Sequence, residues 1–151
     1  PMASNAMSQL MTMTDWGEID FLVVDMPPGT GDVPLTVFQS LPVDGIIVVT
    51  SPQDLVGMIV EKAVKMAGLL NVPILGMVEN FSYYKCPDCG NIHSIFGESK
   101  AEETAAAHGI KALSRRPIDP KLAAAVDGGM IELFEQPGID PVADAVDALL
   151  D

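Results

Sequence analysis

Cysteine is nearly absent: Cys86 and Cys89 are the only two in 151 residues. Two thiols cannot staple a secreted scaffold, and no charged leader with an apolar signal core opens the chain, so a reducing, cytoplasmic setting is expected. Basic residues are scarce as well. Eight Lys and Arg against 21 Asp and Glu give a formal charge of -13, which repels a phosphodiester backbone and an anionic lipid surface. Nucleic acid and membrane are therefore not expected as partners. Aromatic residues make up only 5%, and no apolar run reaches the roughly 20 residues that a spanning helix needs. A phosphate-gripping loop is missing too: no lysine stands between a glycine and a Ser or Thr as Gly-x-x-x-x-Gly-Lys-Ser/Thr requires.

The apolar mass that is present is mostly aliphatic and Met. It amounts to 48% of residues with mean hydropathy +0.31, enough for one core in a chain of this length. Phe21-Leu-Val-Val-Asp25 and Gly45-Ile-Ile-Val-Val-Thr50 are continuous runs rich in β-branched residues. Strands buried on both faces read this way, and such strands belong to parallel sheets. Ser51, Pro52 and Asp54 supply an N-cap, a first-turn proline and an acid, and apolar residues at Leu55, Met58, Ile59, Ala63, Met66, Ala67 and Leu70 then predict an amphipathic crossover helix. Pro73 to Val78 completes a strand-helix-strand unit, which is right-handed with parallel strands. An irregular stretch, residues 81–97, follows. Ser99 and Glu102 form a capping box for a helix ending at Gly109, Lys111 to Arg116 reads as an edge strand, and Asp119-Pro120 and Asp140-Pro141 each start a helix.

Chemistry concentrates in two places. Asp25-Met-Pro-Pro-Gly-Thr-Gly-Asp32 stands at the carboxyl end of the first expected strand, where open α/β sheets bind ligands. An acid there can hold a water of hydrated Mg²⁺, prolines such as Pro28 stiffen the turn, and Gly29 and Gly31 let backbone N–H groups approach a phosphate without a Cβ in the way. Taken alone, the octet also fits a plain strand-ending turn in which Asp32 caps the next helix. In Cys86-Pro-Asp-Cys89-Gly two residues separate the thiols, so both can reach one metal or cluster, yet they form only half of a four-thiolate site. An iron–sulfur cluster, a Zn²⁺ knuckle completed by His93 or by a second chain, a redox dithiol and two inert cysteines remain open. His108 beside Gly109 suits a helix end. Arg115-Arg116 is too short for a basic patch and is expected to face an acidic partner surface.

These segments, with Thr50-Ser-Pro-Gln-Asp54, Val78-Glu-Asn80-Phe and Pro117-Ile-Asp119-Pro in the same order, resemble the Mrp/ApbC branch of deviant-Walker P-loop ATPases, relatives of MinD and the nitrogenase iron protein. The resemblance implies an α/β fold, a mostly parallel sheet flanked by helices. Residues 1–151 would be the C-terminal portion of one P-loop ATPase domain, with 81–97 as a cysteine-bearing loop insertion. Pro1 to Gln9 resembles the segment ahead of the family's central strand, and the Walker A loop and switch I aspartate would lie upstream. Carried over residue by residue, Asp25 is the Mg²⁺-water acid, Gly29 the γ-phosphate-sensing amide, Asn80 the adenine-reading asparagine, and Pro117 to Asp119 the loop flanking the base. Cys86 and Cys89 of two copies would hold a bridging 4Fe-4S cluster in a homodimer that delivers it to apo iron–sulfur proteins, driven by ATP. Two other functions are weighed against this. A MinD- or ParA-like partitioning ATPase needs no cysteine knuckle, and a zinc-binding interaction domain would use the Asp25 octet only as a turn.

Overall fold

The structure, a computed structural model, describes residues 2–27, 31–135 and 138–150, the side chains of residues 2–4, 7 and 54–56 excepted. In chain order its elements are α1 (Met2–Met13), α2 (Asp32–Ser40), β1 (Ile46–Thr50), α3 (Asp54–Leu69), β2 (Ile74–Lys85), β3 (Ile92–His93), α4 (Ala101–Ala107), β4 (Ala112–Pro117), α5 (Pro120–Asp127), a 3₁₀ turn (Ile131–Leu133) and α6 (Asp140–Asp147). The β-branched runs pair as expected. β2 lies between β1 and β4, parallel to both, with Val48 opposite Met77 and Met77 opposite Leu113.

Alternation along the strands sends Val48, Met77 and Leu113 to one face, where α3 and α4 close over them. Val48, Val60, Met77, Ala101, Ala105 and Ile110 form the core there, with Met77 fully buried. The Val, Met and Ile side chains among them each gain about 1.5–3 kcal/mol on leaving water. On the opposite face α6 lies against β2 and β4 through buried Val142. Gly76 makes that approach possible, since a Cβ there would stand 3.2 Å from both Val142 methyls and from the Ala112 carbonyl oxygen. The α/β class and the mostly parallel sheet flanked by helices therefore hold.

Four local expectations are corrected. Residues 21–27 carry no regular secondary structure, and Val23 is 85% exposed. A strand exists through its ladder, and among the described residues nothing pairs with this run. The helix expected from Ser51 begins at Asp54 with Gln53 as N-cap and no side-chain cap, while the Ser51 hydroxyl donates to the Gln53 side chain instead. Ser99 accepts the Ala101 N–H at 3.3 Å, but the N-cap is Lys100, so the capping box is one residue out of step. The stretch 81–97 is not wholly irregular: β2 runs on to Lys85 and folds back through β3, with Tyr84 opposite His93. The helix starting at Asp119-Pro120 is as expected, with Asp119 Oδ1 accepting the Lys121 N–H at 2.8 Å.

Candidate functional site

The turn between β2 and β3 carries both thiols. The Cys86 N–H donates to the Asn91 carbonyl and the Gly90 N–H to the Cys86 carbonyl, each at 2.9 Å, and Gly90 takes φ +73, a left-handed conformation that a residue with a Cβ rarely adopts. The turn folds the chain over the first sulfur. Backbone N–H groups of Cys89 and Asp88 point at Cys86, and these, with a hydrogen bond to the Cys89 side chain, hold its thiol below the usual range. A thiolate is the form that binds metal, so the loop prepares Cys86 for ligation. Neither cysteine is in a disulfide; Cys89 is exposed and Cys86 half-buried. His93 is exposed on β3, and among the described residues no third His, Cys, Asp or Glu joins the two thiols as a possible ligand group. The hairpin's base is braced by Phe81 and Phe96, whose rings lie 6.1 Å apart.

Asn80 stands where β2 leaves its regular ladder. Glu79 lies opposite Arg115 and Tyr83 opposite Pro117, so four steps along β2 are spanned by two along β4. The surplus is taken up at Phe81, whose φ of 57 is left-handed, and the half-buried Asn80 stabilises that break by accepting the Phe81 N–H on its Oδ1 at 3.0 Å. The amide nitrogen of Asn80 is thereby left to act as a donor, the function needed to read an acceptor on a base edge. Glu79 is 2% exposed. Its Oε2 accepts from the Ser82 hydroxyl, which in turn accepts from Arg115 Nε at 2.9 Å; Arg115 also lies 3.7 Å from Glu79 and 3.5 Å from Glu102 of α4. The expectation that Arg115-Arg116 faces a partner's acidic surface is thus corrected, because Arg115 answers acids of its own chain and Arg116 is buried. Sequence reasoning also missed Glu79 and Ser82. The detectable signal was an acid at the end of one expected strand and an arginine at the end of its neighbour.

Two cavities flank this junction. A groove of about 540 Å³ has Tyr83, Tyr84 and Cys86 on one wall and Pro117, Asp119 and Lys121 on the other, and the Ile118 N–H donates to the Tyr83 carbonyl at 2.7 Å across its floor. A cleft of about 380 Å³ opens at the carboxyl end of β1 and beside the middle of β2, between Thr50–Gln53, α3 and α4, with Glu79 among its lining residues. Cys86, Pro117 and Asp119 are therefore brought to one groove. Asn80 lies beside it but lines neither cavity. Asp25 is exposed in the irregular run and Gly31 is the N-cap of α2; neither lines either of these two cavities. Around Gly31 a Cβ would meet nothing within 4 Å. Pro28 and Gly29 lie outside the described residues. Among the described residues no helix is long and apolar enough to cross a membrane.

Comparison with known proteins bears on these residues. A family model described as ParA, the NUBPL iron-transfer P-loop NTPase, matches residues 1–151. An iron-sulfur cluster carrier protein of Pseudomonas fragi is 41% identical over 143 residues, 95% of this chain and 50% of that protein. The iron-sulfur cluster transfer protein NUBPL of Mus musculus is 41% identical over 139 residues, covering 92% of this chain and 44% of that one. Among solved structures, a nucleotide-binding protein in complex with ADP from Archaeoglobus fulgidus superposes with a TM-score of 0.82 at 40% identity, over 89% of this chain and 56% of that chain. The chain thus spans about half the length of these relatives.

Proposed function

Since the chain belongs to the ParA family of NUBPL-type iron-transfer P-loop NTPases, we propose that it forms part of an ATP-dependent carrier that holds an iron–sulfur cluster on Cys86 and Cys89 and passes it to apo-proteins. The observation that carries this reading is the knuckle itself: two thiols outside any disulfide, hydrogen-bonded to each other, with backbone N–H groups favouring the thiolate of the first. Hydrogen bonds to the sulfurs and solvent exposure are the levers that tune a cluster, and an exposed one can be handed on. Two thiolates leave a 4Fe-4S cluster half ligated, so a second copy related by a two-fold axis supplies the other pair, and the functional unit is a homodimer. The names of the relatives, cluster carrier and cluster transfer proteins, support the same role.

Nucleotide chemistry falls to the other residues. The Asp25 carboxylate would accept from a water of the magnesium shell, and Gly29 and Gly31, in a turn stiffened by Pro28, would present backbone N–H groups to the terminal phosphate. Mg²⁺ supplies neutralisation of the phosphate charge. Asn80 donates to the adenine edge while Pro117 to Asp119 flank the ring. Asp119 keeps one carboxylate oxygen on the Lys121 N–H, so this loop is anchored to the start of α5 as it does so. Hydrolysis moves the segment from Asp25 to Asp32 and with it α2, changing how two copies grip the cluster. The ADP complex of the Archaeoglobus fulgidus relative supports nucleotide binding by this fold.

Anaerobic incubation with iron and sulfide tests the knuckle. The full-length protein should gain visible thiolate-to-iron absorbance, and Cys89→Ser should not. A colourless product holding stoichiometric zinc, unchanged by excess iron, would instead make the knuckle a zinc site. The lowered thiol of Cys86 also fixes a pH order. Its thiolate persists to lower pH than that of an ordinary cysteine, so iodoacetamide labelling of Cys86 falls away only below the usual thiol range. Labelling that titrates in the ordinary range would contradict the loop's N–H···S bonds.

A further inference from the structure

Glu79, Ser82 and Arg115 raise a question that cluster chemistry leaves unanswered: why a carboxylate that is 2% exposed stands one residue before Asn80. A buried acid is tolerated when it is hydrogen-bonded and its charge is answered, and here the Ser82 hydroxyl donates to Glu79 Oε2 while Arg115 Nε donates to Ser82 and stands 3.7 Å from the carboxylate as its counter-charge. The set spans the irregularity in β2. Glu79 precedes the break at Phe81, Ser82 follows it, and Arg115 stands across the ladder opposite Glu79. Ser82 can reach back to Glu79 only if the chain between them turns through the left-handed residue, so the polar set and the backbone break specify each other. The same break points the Asn80 side chain toward the Phe81 N–H and starts the outer third of β2, which ends at Lys85, one residue before Cys86.

We infer that Arg115 is a positioning residue: by clamping Ser82 against Glu79 it holds the two-residue surplus of β2 in one conformation, and so fixes how Asn80 meets the nucleotide base. The role of Asn80 is taken from the proposed function; the clamp stands on the geometry alone. Glu102 on α4, 3.5 Å from the Arg115 guanidinium, steadies the outer end of the clamp. Lysine cannot replace arginine here, because a point-like ammonium lacks the Nε that meets Ser82 while its fork reaches Glu102.

The test measures ATP and GTP affinities on the full-length protein and on Arg115→Lys, Ser82→Ala, Asn80→Ala and the double variant Asn80→Ala/Arg115→Lys. Loss of such a charge-assisted hydrogen bond costs on the order of ten-fold, so Arg115→Lys should lower the ATP-over-GTP preference about ten-fold, with Ser82→Ala following in the same direction. In the Asn80→Ala background Arg115→Lys should add nothing, since it acts through Asn80. A preference unchanged in both Arg115→Lys and Ser82→Ala, or a loss that adds fully to that of Asn80→Ala, overturns the inference. If Asn80→Ala itself leaves the preference intact, the base assignment is what fails. The clamp is then judged on the Phe81 amide resonance, which moves in Arg115→Lys if the clamp is real and stays in place if it is not.

Discussion

Phe21-Leu-Val-Val and Ile46-Ile-Val-Val are nearly the same sequence, and they meet different fates. The second is β1, with Val48 6% exposed beneath α3; the first has no regular structure, and its Val23 is 85% exposed. Composition cannot account for the difference. β1 has β2 alongside it to take its N–H and C=O groups, whereas no described strand runs beside residues 21–27. Pairing does not by itself bury both faces: Ile47 and Val49 stand in the ladder with β2 yet are exposed, while Val48 between them is buried. A β-branched run is thus a request for a partner strand, and the partner decides whether the request is met.

This contrast can be broken by substitution. Met77→Ala, in the paired half, should lower unfolding free energy by about 2–5 kcal/mol in a denaturant titration, because it leaves a cavity under α3 and α4. Asp119→Ala, which removes the cap of α5, should cost about 1 kcal/mol. Val23→Ala should fall within about 0.5 kcal/mol of the parent, as for an exposed residue without partners. Val23→Ala costing as much as Met77→Ala would mean that the 21–27 run is paired in solution and would erase the contrast.

The legible part of the fold was the part that local rules govern. The crossover from Gly45 through α3 to Val78 was readable because β-branched runs, helical periodicity and connection length all agree there. Asp119-Pro120 was readable because capping is local. The strand at Phe21 was misread because pairing is not local, and the register break after Glu79 was missed because no short-range pattern marks it. At the candidate site the spacing of Cys86 and Cys89 marked the turn that carries both thiols. Glu79, Ser82 and Arg115 stayed hidden: their meaning lies in a cross-strand register that joins residues 33 positions apart. Asp25 shows the converse. Its motif was the clearest in the chain, yet a carboxylate at a strand tip is placed only when the strand is.

Buried charge is met locally. Around β2 and β4 buried Glu79 has named partners, and among the described residues no buried side-chain polar atom is left without one. The knuckle lies at the far end of this well-satisfied region, directly after β2, which runs from the core through the break at Phe81 to Lys85. On the proposed reading the ligand-bearing turn has to be rigid and open to solvent; here the Cys86–Asn91 and Gly90–Cys86 hydrogen bonds close the turn, and Cys89 is exposed.

Iron and acid-labile sulfide counted per chain, on the anaerobically reconstituted full-length protein and its Cys86→Ser variant, go most directly to the role of the knuckle. A 4Fe-4S cluster shared across a two-fold axis by two thiolates from each copy gives about two irons and two sulfides per chain, and none in the variant. Iron retained undiminished by Cys86→Ser, or a full complement of about four per chain on a monomer, would contradict it.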